Sequence, residues 1–124
     1  MADEYKFADE IMSDDELDQV TGGGTGQCQG DNNFLANIGI IERQDGSLSN
    51  IMFHWDSFSK IIDAGWAKVG VTCCTVFGAV YDNKYWIGGK EVSRKEAFAH
   101  ALRQNGCSEK QIANFKYEQY QGSF

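Results

Sequence analysis

The sequence lacks most of the features that announce what a small protein does. Its first residues carry no basic region and no long apolar run, so they do not read as a secretory signal peptide. No stretch approaches the ~20 apolar residues of a membrane-spanning helix. The longest uncharged run, Val69 to Tyr81, has 13 residues and includes Gly70, Thr72, Thr75 and Gly78. There is no basic stripe interleaved with aromatics, and the net charge of −7 opposes binding to phosphates, which argues against a nucleic-acid partner. Neither C-x-x-C nor H-x-x-x-H spacing occurs, so no metal site is expected. No phosphate loop and no paired-carboxylate signature is present, so the chain is not expected to be an enzyme or to hold a cofactor. Internal repeats and low-complexity tracts are also missing.

What is present fits one domain. The 124 residues are 42% apolar and 13% aromatic, enough for a packed core. The charge, however, is concentrated at one end. Residues 1–23 hold eight acids against a single base, Lys6, and so carry −7; the ten acids and ten bases of residues 24–124 cancel. Such asymmetry marks a tail or a segment read separately from the rest.

The four cysteines, Cys28, Cys73, Cys74 and Cys107, all follow the glycine triplet Gly22–Gly24. An even count in a small domain is the pattern of a disulfide framework in an oxidising compartment. A bond between neighbours Cys73 and Cys74 would be strained, because ordinary geometry places the Cα atoms ~5.5 Å apart. Two arrangements are therefore favoured: Cys28 and Cys107 each paired with one of the two neighbours, or a single bridge with two free thiols. The competing reading is catalysis through "GQCQG" around Cys28, which needs a base beside the thiol. His54, between Phe53 and Trp55, is expected to be packed, and His100 to lie exposed on a helix.

Along the chain, Ser13-Asp14-Asp15-Glu16 has the form of a capping box. It opens a short helix with Leu17 and Val20 on one face and an acidic back, stopped by the glycine triplet. A helix of that length is marginal in water unless it binds something. "GTGQCQGDNN", residues 24–33, is small and polar and reads as a flexible linker. The globular body is then expected over residues 34–124. Asp45-Gly46 between apolar runs predicts a hairpin over 37–43 and 48–54. A helix over 57–64 stopped by Gly65 comes next; the spacing of Ile51, Trp55, Phe58, Ile62 and Trp66 also fits one longer helix. The β-branched and aromatic stretch 68–92 predicts strands, with turns at Asp82-Asn83 and Gly88-Gly89. Ser93–Glu96 and Ser108–Gln111 are two further capping boxes, each opening a helix. The expected fold is a small α+β domain: an antiparallel sheet and two C-terminal helices, preceded by a flexible leader.

The segment "MSDDELDQVTGG" resembles the double-glycine leader of bacteriocin-type and quorum-peptide precursors. The match consists of Met12, Ser13, Glu16, Leu17, Val20, Gly22 and Gly23 in unbroken register, and it covers only residues 12–23. The resemblance implies that the peptidase domain of an ABC exporter recognises the leader. Met12, Leu17 and Val20 would dock in a groove as a helix, with Glu16 part of the recognised pattern. The Gly22-Gly23 pair would enter a narrow cleft, and the cut would fall between Gly23 and Gly24. A marginal amphipathic helix gains stability by docking, and glycines allow close approach of backbones. Removing residues 1–23 would release a neutral body carrying every cysteine.

Two functions are expected. The first is a secreted bacteriocin-like competition protein, made in the cytoplasm as a precursor, stripped of its leader during export and directed at an envelope target or receptor. A neutral body has little attraction to anionic lipid, which favours a receptor over charge-driven membrane binding. The alternative is a secreted, non-toxic binding or signalling module that uses the same route. Its contact face would draw on Tyr81, Tyr85, Trp86, Tyr117 and Tyr120, unless these are half-buried core residues. A precursor whose Cys and Ser/Thr residues are enzymatically modified is disfavoured by the long, aromatic, charged body.

Overall fold

The computed structural model describes residues 23–121. Met12, Ser13, Glu16, Leu17, Val20 and Gly22, the positions of the expected leader, and the helix expected over them lie outside the described residues. The order of elements is α1 (Gly23–Asn37), α2 (Leu48–Phe53), α3 (Trp55–Lys68), β1 (Thr72–Cys74), β2 (Lys84–Ile87), β3 (Lys90–Val92), α4 (Arg94–Gln104), α5 (Glu109–Ala113) and a 3-10 turn (Tyr117–Tyr120). The three strands form one antiparallel sheet in the order β1-β2-β3, so the fold is α+β. Thr72 lies opposite Trp86 and Cys74 opposite Lys84, while Tyr85 lies opposite Val92. Gly88 and Gly89, both at positive φ, make the two-residue turn between β2 and β3.

The main correction concerns residues 24–33, which are not a linker. They are the first part of α1, the central helix, and Gly24, Thr25, Gly26, Cys28, Gln29, Gly30, Asp31 and Asn32 are all buried. The residues before Phe34, from Gly23 on, therefore belong to the folded body. Glycine disfavours a helix interior by ~1 kcal/mol relative to alanine, and tertiary contacts offset that cost here. A methyl group added at Gly30 would come within 2.0 Å of the Tyr120 carbonyl oxygen, so only glycine lets the C-terminal turn sit this close. The buried polar side chains bond outward to surrounding segments. Asn32 donates to the Gln44 carbonyl at 3.0 Å and accepts from the Gln44 N–H at 2.9 Å, while Gln29 donates to the Gly46 carbonyl at 2.9 Å.

Those bonds also explain why no hairpin forms at Asp45-Gly46. The segment between α1 and α2 is irregular and pinned along α1. Asp45 Oδ1 accepts from the Ser47 N–H at 2.9 Å, and Ser47 then caps α2. The turn signal thus leads into a helix. α2 and α3 meet at His54, which ends one and begins the other. The outcome lies nearer the longer of the two helix readings. Gly65 does not stop α3; it lies inside it, against Leu35 and Ile41. His54 is exposed rather than packed, and His100 is half-buried on α4.

The core gathers Phe34 and Leu35 of α1, Phe58, Ile62 and Trp66 of α3, Tyr85 of β2, and Phe98 and Leu102 of α4. Phe34 and Phe98 stack at 4.0 Å between centroids, and Trp66 meets Tyr85 edge-on at 5.3 Å. Both C-terminal capping boxes form with the expected partners, Ser93 with Glu96 and Ser108 with Gln111. No described helix is long and apolar enough to cross a membrane.

Candidate functional site

Two of the three glycines of the triplet Gly22–Gly24 are among the described residues, and both are held by the segment between β1 and β2. Gly23 has φ +44°, and a methyl group there would lie 2.7 Å from the Ala79 carbonyl oxygen. At Gly24 a methyl group would lie 1.9 Å from the Val76 carbonyl oxygen. The Gly24 N–H donates to the Tyr81 carbonyl at 3.0 Å, and the Thr25 N–H to the Gly78 carbonyl at 3.2 Å. In return the Gly78 N–H donates to Thr25 Oγ1 at 2.7 Å.

Asn83 locks this clasp. Its Oδ1 accepts from the Val76 N–H at 2.8 Å, and its own N–H donates to Gln27 Oε1 at 2.7 Å. The first N–H groups of any helix have no partner within the helix; here the 75–83 segment supplies carbonyls to two of them. An open cavity of about 430 Å³ adjoins the clasp, with Gln27, Tyr81, Asn83, Tyr85, Glu91 and Arg94 in its lining.

Deeper along α1, Asp31 is buried and fully occupied. Its Oδ1 accepts from Arg94 Nε at 3.0 Å and Nη2 at 2.7 Å, and its Oδ2 accepts from the Tyr85 hydroxyl at 2.7 Å and Trp66 Nε1 at 3.0 Å. Burial pushes this carboxyl up, while the Arg94 charge and the Tyr85, Trp66 and Arg94 hydrogen bonds act against it. Arg94 is held charged against its own burial by Asp31. With four donors on two oxygens the carboxylate is saturated, so this constellation ties α1 to β2, α3 and α4 rather than offering a proton acceptor.

All four cysteines are free thiols in the structure, and the bridges expected among them are not formed. Neighbouring residues of a strand point to opposite faces. Accordingly Cys73 of β1 is half-buried and Cys74 is exposed. Buried Cys28 accepts from Asn83 Nδ2 at 3.6 Å, and Cys107 sits in the turn after α4, where its N–H donates to the Leu102 carbonyl at 2.9 Å. Burial, and then the charge of Asp31, push both the Cys28 and Cys73 thiols far above their ordinary value. The nucleophile is the thiolate, so neither thiol is poised for covalent catalysis. Among the described residues no group of three or more His, Cys, Asp or Glu side chains is placed to hold a metal ion.

The aromatics singled out as a contact face separate. Tyr85 is buried, Trp86, Tyr117 and Tyr120 are half-buried, and Tyr81 alone is exposed. Tyr81 is 72% exposed, and sequence reasoning missed the exposed apolar residues near it: Val80 is 78% exposed, and Phe77, partly exposed, meets Trp55 edge-on. The run "TVFGAVYD" was legible as apolar, but only the close packing of Gly23 and Gly24 on Val76 and Ala79 shows why it stays irregular and near the surface. Comparison with protein-family models, with curated proteins and with solved structures gave no match.

Proposed function

We propose that the chain is the precursor of a secreted, bacteriocin-like competition protein whose leader, residues 1–23, is removed after Gly23 by the peptidase domain of an ABC exporter. The observation that carries this reading is the unbroken register Met12, Ser13, Glu16, Leu17, Val20, Gly22, Gly23, with the entire net charge of the chain on its side of the cut. On this reading the mature side of the cut holds a described core and a buried ion pair, Asp31 with Arg94. The mature protein acts without a cofactor and is not an enzyme on this reading. Its partner is an envelope target or receptor.

The glycines allow a clean test. Gly23 and Gly24 have packing reasons of their own among the described residues, so the test falls on Gly22, the other glycine of the pair. Gly22→Val should therefore abolish leader removal and secretion while leaving the thermal unfolding of the body unchanged. Secretion of the Gly22→Val chain at the wild-type level, cut after position 23, would contradict the leader assignment.

The exposed Phe77, Val80 and Tyr81 favour a second reading, a secreted binding or signalling module with no toxic action. Growth-inhibition assays with residues 24–124 separate the two: killing of related cells supports the first, and binding without killing supports the second.

A further inference from the structure

The bond at which the proposed leader would be cut is not on a loop of the folded body. It lies in the first turn of α1, beneath the 75–83 segment. We propose that folding of the body closes this bond to the peptidase, so that leader removal acts on the chain before the 75–83 segment has clasped Gly23–Thr25. The proposal rests on the leader reading given above.

Proteolysis favours exposed, mobile backbone that can be drawn into an enzyme cleft. The residues on the leaving side of the cut have the opposite character. Gly24, Thr25 and Gly26 are buried and helical. The Gly24 and Thr25 N–H groups are already bonded to the carbonyls of Tyr81 and Gly78. The gap at Gly24 is narrower than a methyl group, since an added Cβ would meet Val76 O at 1.9 Å and Asn83 Oδ1 at 2.9 Å. A peptidase cleft cannot enter that gap while Val76 and Ala79 fill it. Cleavage of the folded chain then requires local opening, and its rate falls with the small fraction of molecules that are open.

The clasp also gives the cut chain a place for its new end. The Gly24 nitrogen keeps its bond to the Tyr81 carbonyl whether or not Gly23 precedes it, so the body can close after processing with the mature amino end seated. Processing and folding thereby acquire an order.

The test compares three substrates of the purified peptidase domain of a double-glycine exporter. These are the folded full-length chain, a peptide of residues 1–34, and the full-length Asn83→Ala variant, which loses the Asn83 Oδ1 bond to Val76. The Asn83→Ala chain is used only if it keeps a cooperative thermal transition; otherwise Thr25→Val, which removes the Gly78 bond to Oγ1, replaces it, with the peptide carrying the same change as control. The proposal expects the peptide to be cut after Gly23, the folded chain to be cut at least about 100-fold more slowly, and the weakened variant to fall between them. Equal rates for peptide and folded chain would overturn the proposal and leave the leader reading intact. A peptide that is not cut after Gly23 would overturn the leader reading, and the proposal with it. Hydrogen exchange on the folded chain supplies an independent readout: the Gly24 and Thr25 amides should be strongly protected, and exchange at the rate of an unfolded chain would overturn the clasp itself.

Discussion

The Asp31 carboxylate takes four hydrogen bonds from three other elements, with one charge facing it on Arg94. A buried pair of this kind is a weak source of net stability, but removing one partner leaves an uncompensated charge inside the protein. Asp31→Asn should therefore cost about 3–5 kcal/mol, measured by urea unfolding of the full chain. Asp63 is the opposite case. Its Oδ1 is buried and has no hydrogen-bond partner among the described residues, while Oδ2 meets Thr75 Oγ1 at 3.4 Å. Burial raises this carboxyl, outweighing the Thr75 and Cys73 hydrogen bonds that lower it. The folded state thus binds the Asp63 proton more tightly than the unfolded state does. The contribution of that proton to stability is complete below the ordinary carboxyl value and is lost as pH rises through the raised one. Asp63→Asn removes the dependence, so its melting temperature relative to wild type should be higher at pH 7 than at pH 4. An equal difference at both pH values would show that Asp63 titrates normally.

At the scale of elements, local signals and long-range ones fared differently. The capping boxes at Ser93 and Ser108 were readable because the hydroxyl, the backbone N–H and the returning side chain all lie within four residues. The Gly88-Gly89 turn was readable for the same reason. α1 was not, because its glycines and polar residues make sense only against partners far along the chain: Gly24 against Val76, Gly30 against Tyr120, Asn32 against Gln44. A helix whose buried face is polar has no apolar stripe to betray it. The hairpin expected around Asp45-Gly46 failed for a related reason, since Gln44 and Gly46, on either side of the expected turn, are bonded to Asn32 and Gln29 of α1. Asn32→Ala deletes both Gln44 bonds. It should cost about 1–3 kcal/mol and release the Gln44 amide to faster hydrogen exchange, whereas α5 and the C-terminal capping boxes stay unaffected.

On the scale of the whole molecule, the chain divides at Gly23 by charge. Every charge that fails to cancel lies in residues 1–23. The register ending in Gly22-Gly23 was legible in the sequence; the clasp over Gly23 and Gly24 was not, because the Val76–Asn83 segment bears no local mark of what it packs against. The two sides of the division make different demands on adjacent glycines. Gly24→Ala pushes a methyl group into the Val76 carbonyl and should lower the stability of the body by about 1–3 kcal/mol, the usual range for overpacking. Gly22→Val should leave that stability unchanged and stop processing. Equal destabilisation by the two substitutions would mean that the glycine triplet serves packing alone.

The most direct test of this account is the intact mass of the protein recovered from the culture medium of the cells that make it. The account predicts a secreted species with the mass of Gly24–Phe124. A full-length chain retained inside the cells, with no shorter species outside them, would contradict it.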